Sequence, residues 1–356
     1  MDCLPPLRHR LDTSSRGNRR QLIVGPWPRH ASGAGQQEPI AHWIRVHRRA
    51  MACRFEVTLA PGDRACVAAA ISALDVVDEV ERELSVFIET SAICAVNRSA
   101  ATRPVRVPHD VAELLRQCQR VHRDTDGAFD PTATPLSRCW GFLQREARVP
   151  PLAAIEEARR QVGFDAVRVS TDPAAVTFAR PGIELSLGAV GKGYALDRAT
   201  SLLRGSSLQH ALLSAGGSSM VALGGGDAGW MVDLVSPLRP GQRMGTVSLR
   251  DAALGTSGAG AQFVVEQGRR YGHVIDPRTG WPAEGLVSVS VVASNAALAD
   301  ALSTGFLVGG MDEARRYCSQ HPGVLALITP DDGSERTIVI GNHPTARFEA
   351  QEATRP

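Results

Sequence analysis

The sequence predicts an α+β fold, and three observations carry that expectation. Apolar residues recur at three and four over residues 63–85 and 111–124, the spacing of amphipathic helices. Short runs with alternating or β-branched residues, such as Phe55-Glu56-Val57-Thr58-Leu59 and residues 287–293, read as strands. Helical and strand blocks then mix without a regular strand–helix–strand rhythm, which argues against a doubly wound parallel sheet.

Taken in chain order, the first strand lies within residues 44–59, where Phe55, Val57 and Leu59 alternate with polar residues. Residues 63–85 and 111–124 follow as helices, the second with Leu114, Leu115, Cys118 and Val121 on one face. Residues 152–162, rich in Ala, Glu and Arg, form a third helix. Short strands are expected at 167–169, 175–178 and 183–187, then a helix over 193–203 and a strand over 211–214 ending in Gly216-Gly217. Residues 230–235, 245–249 and 287–293 read as strands, 295–308 and 311–321 as helices, and 324–328 and 337–340 as closing strands. Residues 1–40 are rich in Arg, Pro, Gly and Ser and read as a disordered basic tail; the domain proper spans 41–343, and 344–356 reads as a loose C-terminal tail.

Composition narrows the function. The 356 residues carry a formal net charge of +2, which gives no reason to expect nucleic acid or an anionic membrane as the main partner. No apolar run is long enough for a signal peptide or a bilayer span, so a cytoplasmic chain without a transmembrane segment is expected. The seven cysteines are scattered with no C-x-x-C, which suits buried free thiols rather than a disulfide framework or zinc ribbon. Arg serves almost everywhere as the cation, and Lys occurs once, at Lys192. A compact ammonium and a planar guanidinium are not interchangeable, so that one Lys is a candidate for a site that accepts no Arg.

Three segments carry chemistry. Leu187-Gly188-Ala189-Val190-Gly191-Lys192-Gly193 is a Gly-rich turn opening a helix; it suits either an anion at the helix N-terminus or simply a tight turn that needs glycine. It is not a Walker A loop, because the spacing and the following Ser or Thr are missing. His273-Val274-Ile275-Asp276-Pro277-Arg278-Thr279-Gly280 is turn chemistry crowded with groups that orient a substrate or move a proton, although His273 alone also reads as a hydrogen-bonded structural residue. In Ala299-Asp300-Ala301-Leu302-Ser303-Thr304, Asp300 and Thr304 share a helix face and are hard oxygen ligands suited to magnesium; Asp300 also reads as a helix cap. Gly127-Ala128-Phe129-Asp130-Pro131-Thr132, 214–219 and Gly255-Thr256-Ser257-Gly258 read as loops.

In this order the segments, with the Met51 region and Leu84-Ser85-Val86-Phe87 ahead of them, resemble the ApbE family, the FAD:protein FMN transferases, over roughly residues 48–340. The resemblance implies a T-fold-like core in a single catalytic domain, FAD as substrate and one magnesium near its pyrophosphate. It implies Asp300, Thr304 and the backbone carbonyl of Ala189 as metal ligands, with Ser303 beside them. Lys192 would lie against the FAD, His273 would be the catalytic histidine, and Met51, Phe87, Ala128, Phe129, Asp130, Ser186 and Val274 would border the nucleotide. The implied reaction moves FMN from FAD onto a Thr or Ser hydroxyl of an acceptor flavoprotein and releases AMP. The same residues would also serve an FAD pyrophosphatase giving FMN and AMP, and a non-catalytic FAD-binding protein is the third reading. This chain departs from the family pattern at Ser186, where Asp is usual, at Ala92, where an acidic residue is usual, and at Ser218, where Asp often follows the two glycines.

Overall fold

The alternation at Phe55, Val57 and Leu59 aims all three side chains inward, and all three are fully buried. In the computed structural model, which describes residues 21–26 (backbone only) and 42–351 apart from positions 238, 240, 259, 261 and 335, they belong to a strand near one edge of a wide antiparallel sheet. Its strands are β1 (Gln21–Pro26), β2 (His42–Ala50), β3 (Cys53–Leu59), β4 (Ala211–Ala215), β5 (Ser219–Leu223), β6 (Ala252–Gly258), β7 (Leu286–Ala293), β8 (Leu325–Pro330) and β9 (Ile338–Gly341). Spatial order follows chain order, and every neighbouring pair is antiparallel. The chain is α+β, as its pattern of elements predicts.

The four longest helices among the described residues are α1 (Val67–Leu84), α2 (His109–Asp124), α3 (Gly191–Arg204) and α4 (Ala296–Gln320). On α1, Ala70, Ala73, Leu74, Val77, Val80 and Leu84 form the buried stripe that the periodicity predicts. Each fully buried Val or Leu contributes about 1.5–3 kcal/mol. The main core joins this stripe to α3, α4 and the facing residues Leu213, Val221, Ala253, Val291 and Ala326 of the sheet. On the opposite face Leu212, Ala222, Leu254, Val292, Leu325 and Leu327 pack with Trp230, Val232, Val247 and Leu249. Both faces of the central strands are therefore covered, and every residue of β7 is buried. That two-sided burial is why its sequence is a continuous β-branched run rather than an alternation.

Several expectations need correction. Residues 183–187 form no strand: Ile183, Leu185 and Leu187 are buried alternately, but the backbone bonds elsewhere. Asn97 Nδ2 donates to the Leu185 carbonyl, Leu185 N donates to Asn97 Oδ1, and Ser186 N donates to the Pro131 carbonyl. The segment Gly255-Thr256-Ser257-Gly258 is not a loop but the end of β6. The two helices expected on either side of residue 310 are, by contrast, both found: α4 is broken at Gly310, whose φ of +81° suits glycine. Where the sequence suggests a loose tail from residue 344, Ala346–Ala350 pairs with the strand Arg243–Leu249. Hydrophobic periodicity cannot signal so short an edge strand. Of the basic N-terminal segment, Gln21–Pro26 forms β1, and its other residues lie outside those described. Among the described residues, no helix is long and apolar enough to cross a membrane.

Helices α3 and α4 cross where glycine is obligatory. A Cβ on Gly193 would stand 2.2 Å from the Ala296 carbonyl oxygen, and one on Gly255 would stand 2.5 Å from the Ala299 carbonyl carbon. Backbone does not yield to such a contact. Gly191, two residues earlier, has open space at its Cβ position. Gly193→Ala should therefore destabilise the fold by about 3 kcal/mol or more, beyond ordinary overpacking. Gly191→Ala should stay within about 1 kcal/mol of the parent. Urea denaturation of the pair checks this, and equal midpoints would disprove the close crossing.

Candidate functional site

The glycine-rich turn, the end of β6 and the first turns of α4 meet at one end of the sheet. Asp300 is 5% exposed on α4. Its Oδ2 accepts from Gly193 N at 2.8 Å, and Ser219 Oγ donates to Oδ1 at 2.8 Å and to Oδ2 at 3.0 Å. Gly193 is the third residue of α3, and Ala189 lies just outside the helix. Ala189 precedes the N-cap Val190, so the Gly193 amide is a first-turn donor with no intrahelical acceptor, and it goes to Asp300. One turn along α4, the hydroxyls of Ser303 and Thr304 lie 2.8 and 3.0 Å from Ser257 Oγ. A carboxylate and three hydroxyls thus share one face of the α4–β6 contact.

Asp197 on α3 completes the junction. Its carboxylate accepts from Ala296 N at 2.8 Å and Ala297 N at 2.9 Å, while Asn295 Oδ1 accepts from Leu298 N. The start of α4 is capped by two side chains from different elements. The cap role that the sequence allowed for Asp300 therefore belongs to Asn295 and Asp197.

Burial sets the electrostatics. It pushes Asp300 up to about 6, against the pull of the Lys192 ammonium, the Ser219 hydroxyl and the Gly193 amide. It pushes Asp197 up to about 6 as well, against the two amides of α4. Burial lowers His273, and the Lys192 charge lowers it further, so the imidazole is neutral near pH 7. Its Nδ1 is buried with no hydrogen-bond partner. The Lys192 charge acts to lower the pKa of Asp300, His273 and Cys53 alike. Among the described residues that ammonium makes no hydrogen bond or ion pair.

His273 follows the hairpin Phe263–Glu266 with Arg269–Gly272, and its N–H donates to the Gln262 carbonyl. Phe142 stands edge-on to its ring at 6.4 Å. The polar residues after it serve the turn. Arg278 donates through N and Nε to Asp276 Oδ1 and through Nη2 to Asp276 Oδ2. Gly280, at φ +80°, closes the turn by donating to the Asp276 carbonyl.

The residues expected around a nucleotide are placed unequally. Phe87 is 80% exposed at the tip of a loop whose base is tied by Ser91 Oγ donating to the Ser85 carbonyl. Met51 is half-buried in the β2–β3 turn. Ala128 and Phe129 are buried against the glycines of α4: a Cβ on Gly309 would stand 3.5 Å from Ala128 Cβ, and one on Gly305 would stand 3.3 Å from Phe129 Cβ. Asp130 is committed to Thr132 N, Thr132 Oγ1 and Phe164 N. Ser186 Oγ accepts from Gly188 N at 3.4 Å, and the Val274 carbonyl accepts from Ala283 N. Sequence reading missed Ser219 as a partner of Asp300, and the only signal was its place after Gly216-Gly217. Among the described residues no group of three or more His, Cys, Asp or Glu side chains is arranged to hold a metal.

The sign of the pH dependence follows from the raised carboxyls. Unfolded, Asp300 titrates near 3.8; folded, it keeps its proton up to about 6. Between these values the folded chain binds more protons, so its stability falls as pH rises through the window and stays low above it. The fall is on the order of 3 kcal/mol for a shift of this size, and Asp197 adds one of the same sign. In chelator, Asp300→Asn should flatten the decline in Tm from pH of about 4 to about 6.5 without abolishing it. Parallel Tm profiles for variant and parent would contradict the burial of this charge.

Comparison with known proteins bears on the same segments. The sequence profile of the ApbE family matches residues 51–328. The FAD:protein FMN transferase of Treponema pallidum is 35% identical over 269 residues, covering 70% of this chain and 74% of that protein. That of Rhodobacter capsulatus is also 35% identical, over 72% of this chain but only 49% of the longer relative. The crystal structure of the ApbE protein of Thermotoga maritima superposes with a TM-score of 0.74 at 27% identity, covering 87% of this chain and 97% of the other. With the Lys192 turn, the His273 turn and the Asp300–Thr304 helix all inside the matched span, this chain belongs to the ApbE family.

Proposed function

We propose that this chain moves the FMN half of FAD onto a Thr or Ser hydroxyl of an acceptor flavoprotein and releases AMP, with magnesium bound at Asp300. The bond from Gly193 N to Asp300 carries the reading, because it fastens the turn that bears the one lysine of the chain to a buried carboxylate. Relatives named FAD:protein FMN transferases support the same chemistry.

The residues suit magnesium. Asp300 is a buried carboxylate raised by desolvation, a state that a cation relieves. Thr304 and the Ala189 carbonyl add hard oxygen donors, and magnesium commonly takes few protein carboxylates together with substrate phosphates. A site built from one carboxylate, a hydroxyl and a carbonyl contains no cluster of titratable ligands. When bound, magnesium would neutralise charge on the pyrophosphate oxygens.

Lys192, unpaired at the helix start, holds a non-bridging phosphate oxygen as a point charge. The neutral His273 imidazole takes the proton from the acceptor hydroxyl. The hydroxyl oxygen bonds to the FMN phosphorus as the bond between that phosphorus and the bridging oxygen breaks, and AMP carries away the electron pair. Met51, Phe87 and the backbone of Ala128-Phe129-Asp130, together with Ser186 and Val274, border the nucleotide. Among the described residues six cysteines are free thiols, Cys53 and Cys118 among them, and this supports a cytoplasmic setting.

The test is incubation with FAD, magnesium and an acceptor bearing a Thr in a flavinylation-type sequence. Covalent flavin fluorescence on the acceptor, with AMP released in step, is expected. Free FMN and AMP with unlabelled acceptor would instead make the chain a hydrolase, and intact FAD would make it a binding protein. Asp300→Ala should lose magnesium-dependent transfer, and His273→Ala should lose roughly 10²–10⁴-fold in kcat. Lys192→Arg should not restore the activity lost in Lys192→Ala. Normal transfer by Asp300→Ala would remove the metal assignment.

A further inference from the structure

The hairpin that brings Met51 to the site is gripped from outside by α1. Arg48 on β2 is 6% exposed; its guanidinium donates to the Leu74 carbonyl at 2.8 Å, to Asp78 at 2.6 Å and to Asp75 at 2.7 Å. One turn further along the same helix, Glu81 Oε1 accepts from Met51 N at 2.8 Å. The turn between β2 and β3 has only two residues, because Ala50 pairs with Cys53. Both of its residues are left-handed, Met51 at φ +48° and Ala52 at φ +58°. That is the primed hairpin turn, whose two positions ordinarily go to Asn and Gly. Neither residue here favours the conformation, so something outside the turn must hold it.

The turn adjoins the reactive end of the sheet. A Cβ on Gly216 would stand 3.1 Å from Cys53 Cβ, and Gly216 N donates to the Arg54 carbonyl. Burial raises the Cys53 thiol, the Lys192 charge lowers it and the Glu81 charge raises it, while Glu81 itself is bonded to the turn through Met51 N. The next residues of the Gly216 loop reach the metal-side carboxylate: Thr256 N donates to the Ser218 carbonyl, and Ser219 binds Asp300.

We infer that Glu81 is a positioning residue whose carboxylate holds the Met51–Ala52 turn in its left-handed form and thereby sets the rim of the FAD site beside Lys192. The inference deepens the flavin-transferase reading and rests on it for its consequence, although the clamp itself does not. Met51 N has one acceptor, and Glu81 supplies it from a helix already anchored through Arg48. Removing the carboxylate frees a strained turn to relax away from Lys192 without disturbing the core.

Three variants test this: Glu81→Ala, Glu81→Gln and the double variant Glu81→Ala with Ala52→Gly. Hydrogen exchange over residues 49–53 of the ligand-free chain reads the clamp, and FAD titration with steady-state transfer reads its consequence. Glu81→Ala should speed exchange in that segment by about tenfold and raise the KM for FAD by about tenfold, with kcat within about twofold. Glu81→Gln keeps an acceptor oxygen and should match the parent in both. Glycine takes a positive φ without strain, so Ala52→Gly should recover most of the lost FAD affinity. Parent-like exchange and FAD affinity in Glu81→Ala would overturn the inference. So would a fall in kcat and Tm that neither Glu81→Gln nor Ala52→Gly repairs, since that marks ordinary structural damage. A parent chain that neither binds FAD nor labels an acceptor would sink the flavin reading, and the exchange result would still decide the clamp.

Discussion

The amide of Gly193 and the carboxylate of Asp300 form the bond on which the site depends. It is possible only because α3 approaches α4 at a residue with no side chain, and because β6 approaches α4 at another, Gly255. Any Cβ at these two crossings would push the helix and strand apart, and the carboxylate would lose its amide. Close approach has a second effect, in that it excludes water from Asp300. The same packing that fixes the geometry therefore raises the proton affinity of the group it positions.

Around that bond, the neighbouring elements supply polarity without supplying a full countercharge. Ser219 comes from β5, Ser257 from β6, Ser303 and Thr304 from α4, and none of these is charged. Asp197 satisfies the α4 amides, so the carboxylate next along is spoken for. Lys192 is the one cation directed at the group, and it makes no ion pair among the described residues. An arrangement of this kind suits the proposed function, in which a resting ion pair would compete with the phosphates of an incoming nucleotide.

Much of this was legible in the sequence. Periodicity located α1, α2 and the strand at Phe55, because those elements bury a single stripe or face and leave polar residues between. It failed at residues 183–187, where the burial alternates like a strand while the side chain of Asn97 takes the backbone bonds that a neighbouring strand would take. It failed again at Gly255-Thr256-Ser257-Gly258, where turn-forming residues sit in a strand and α4 leaves no room for a side chain at Gly255. The chemical segments were visible as ordered motifs, but their internal division of labour was not. Asp276 and Arg278 read as groups able to orient a substrate or move a proton and are bonded to each other within a turn, and Asp130, expected beside the nucleotide, also ties its own loop to Thr132 and Phe164. Ser219 and Glu81 read as ordinary residues, because their roles arise from partners 81 and 30 positions away.

The solitary lysine has a consequence for chemistry done on the protein rather than by it. Apart from the chain's own α-amino group, Lys192 is its sole primary amine, and its nitrogen, on a half-buried side chain, is bound to nothing among the described residues. Reductive methylation with ¹³C-formaldehyde would therefore place a single side-chain reporter at the start of α3. On the proposed function its resonance would respond to nucleotide, metal and acceptor in turn, with no mutagenesis and only the α-amino signal beside it.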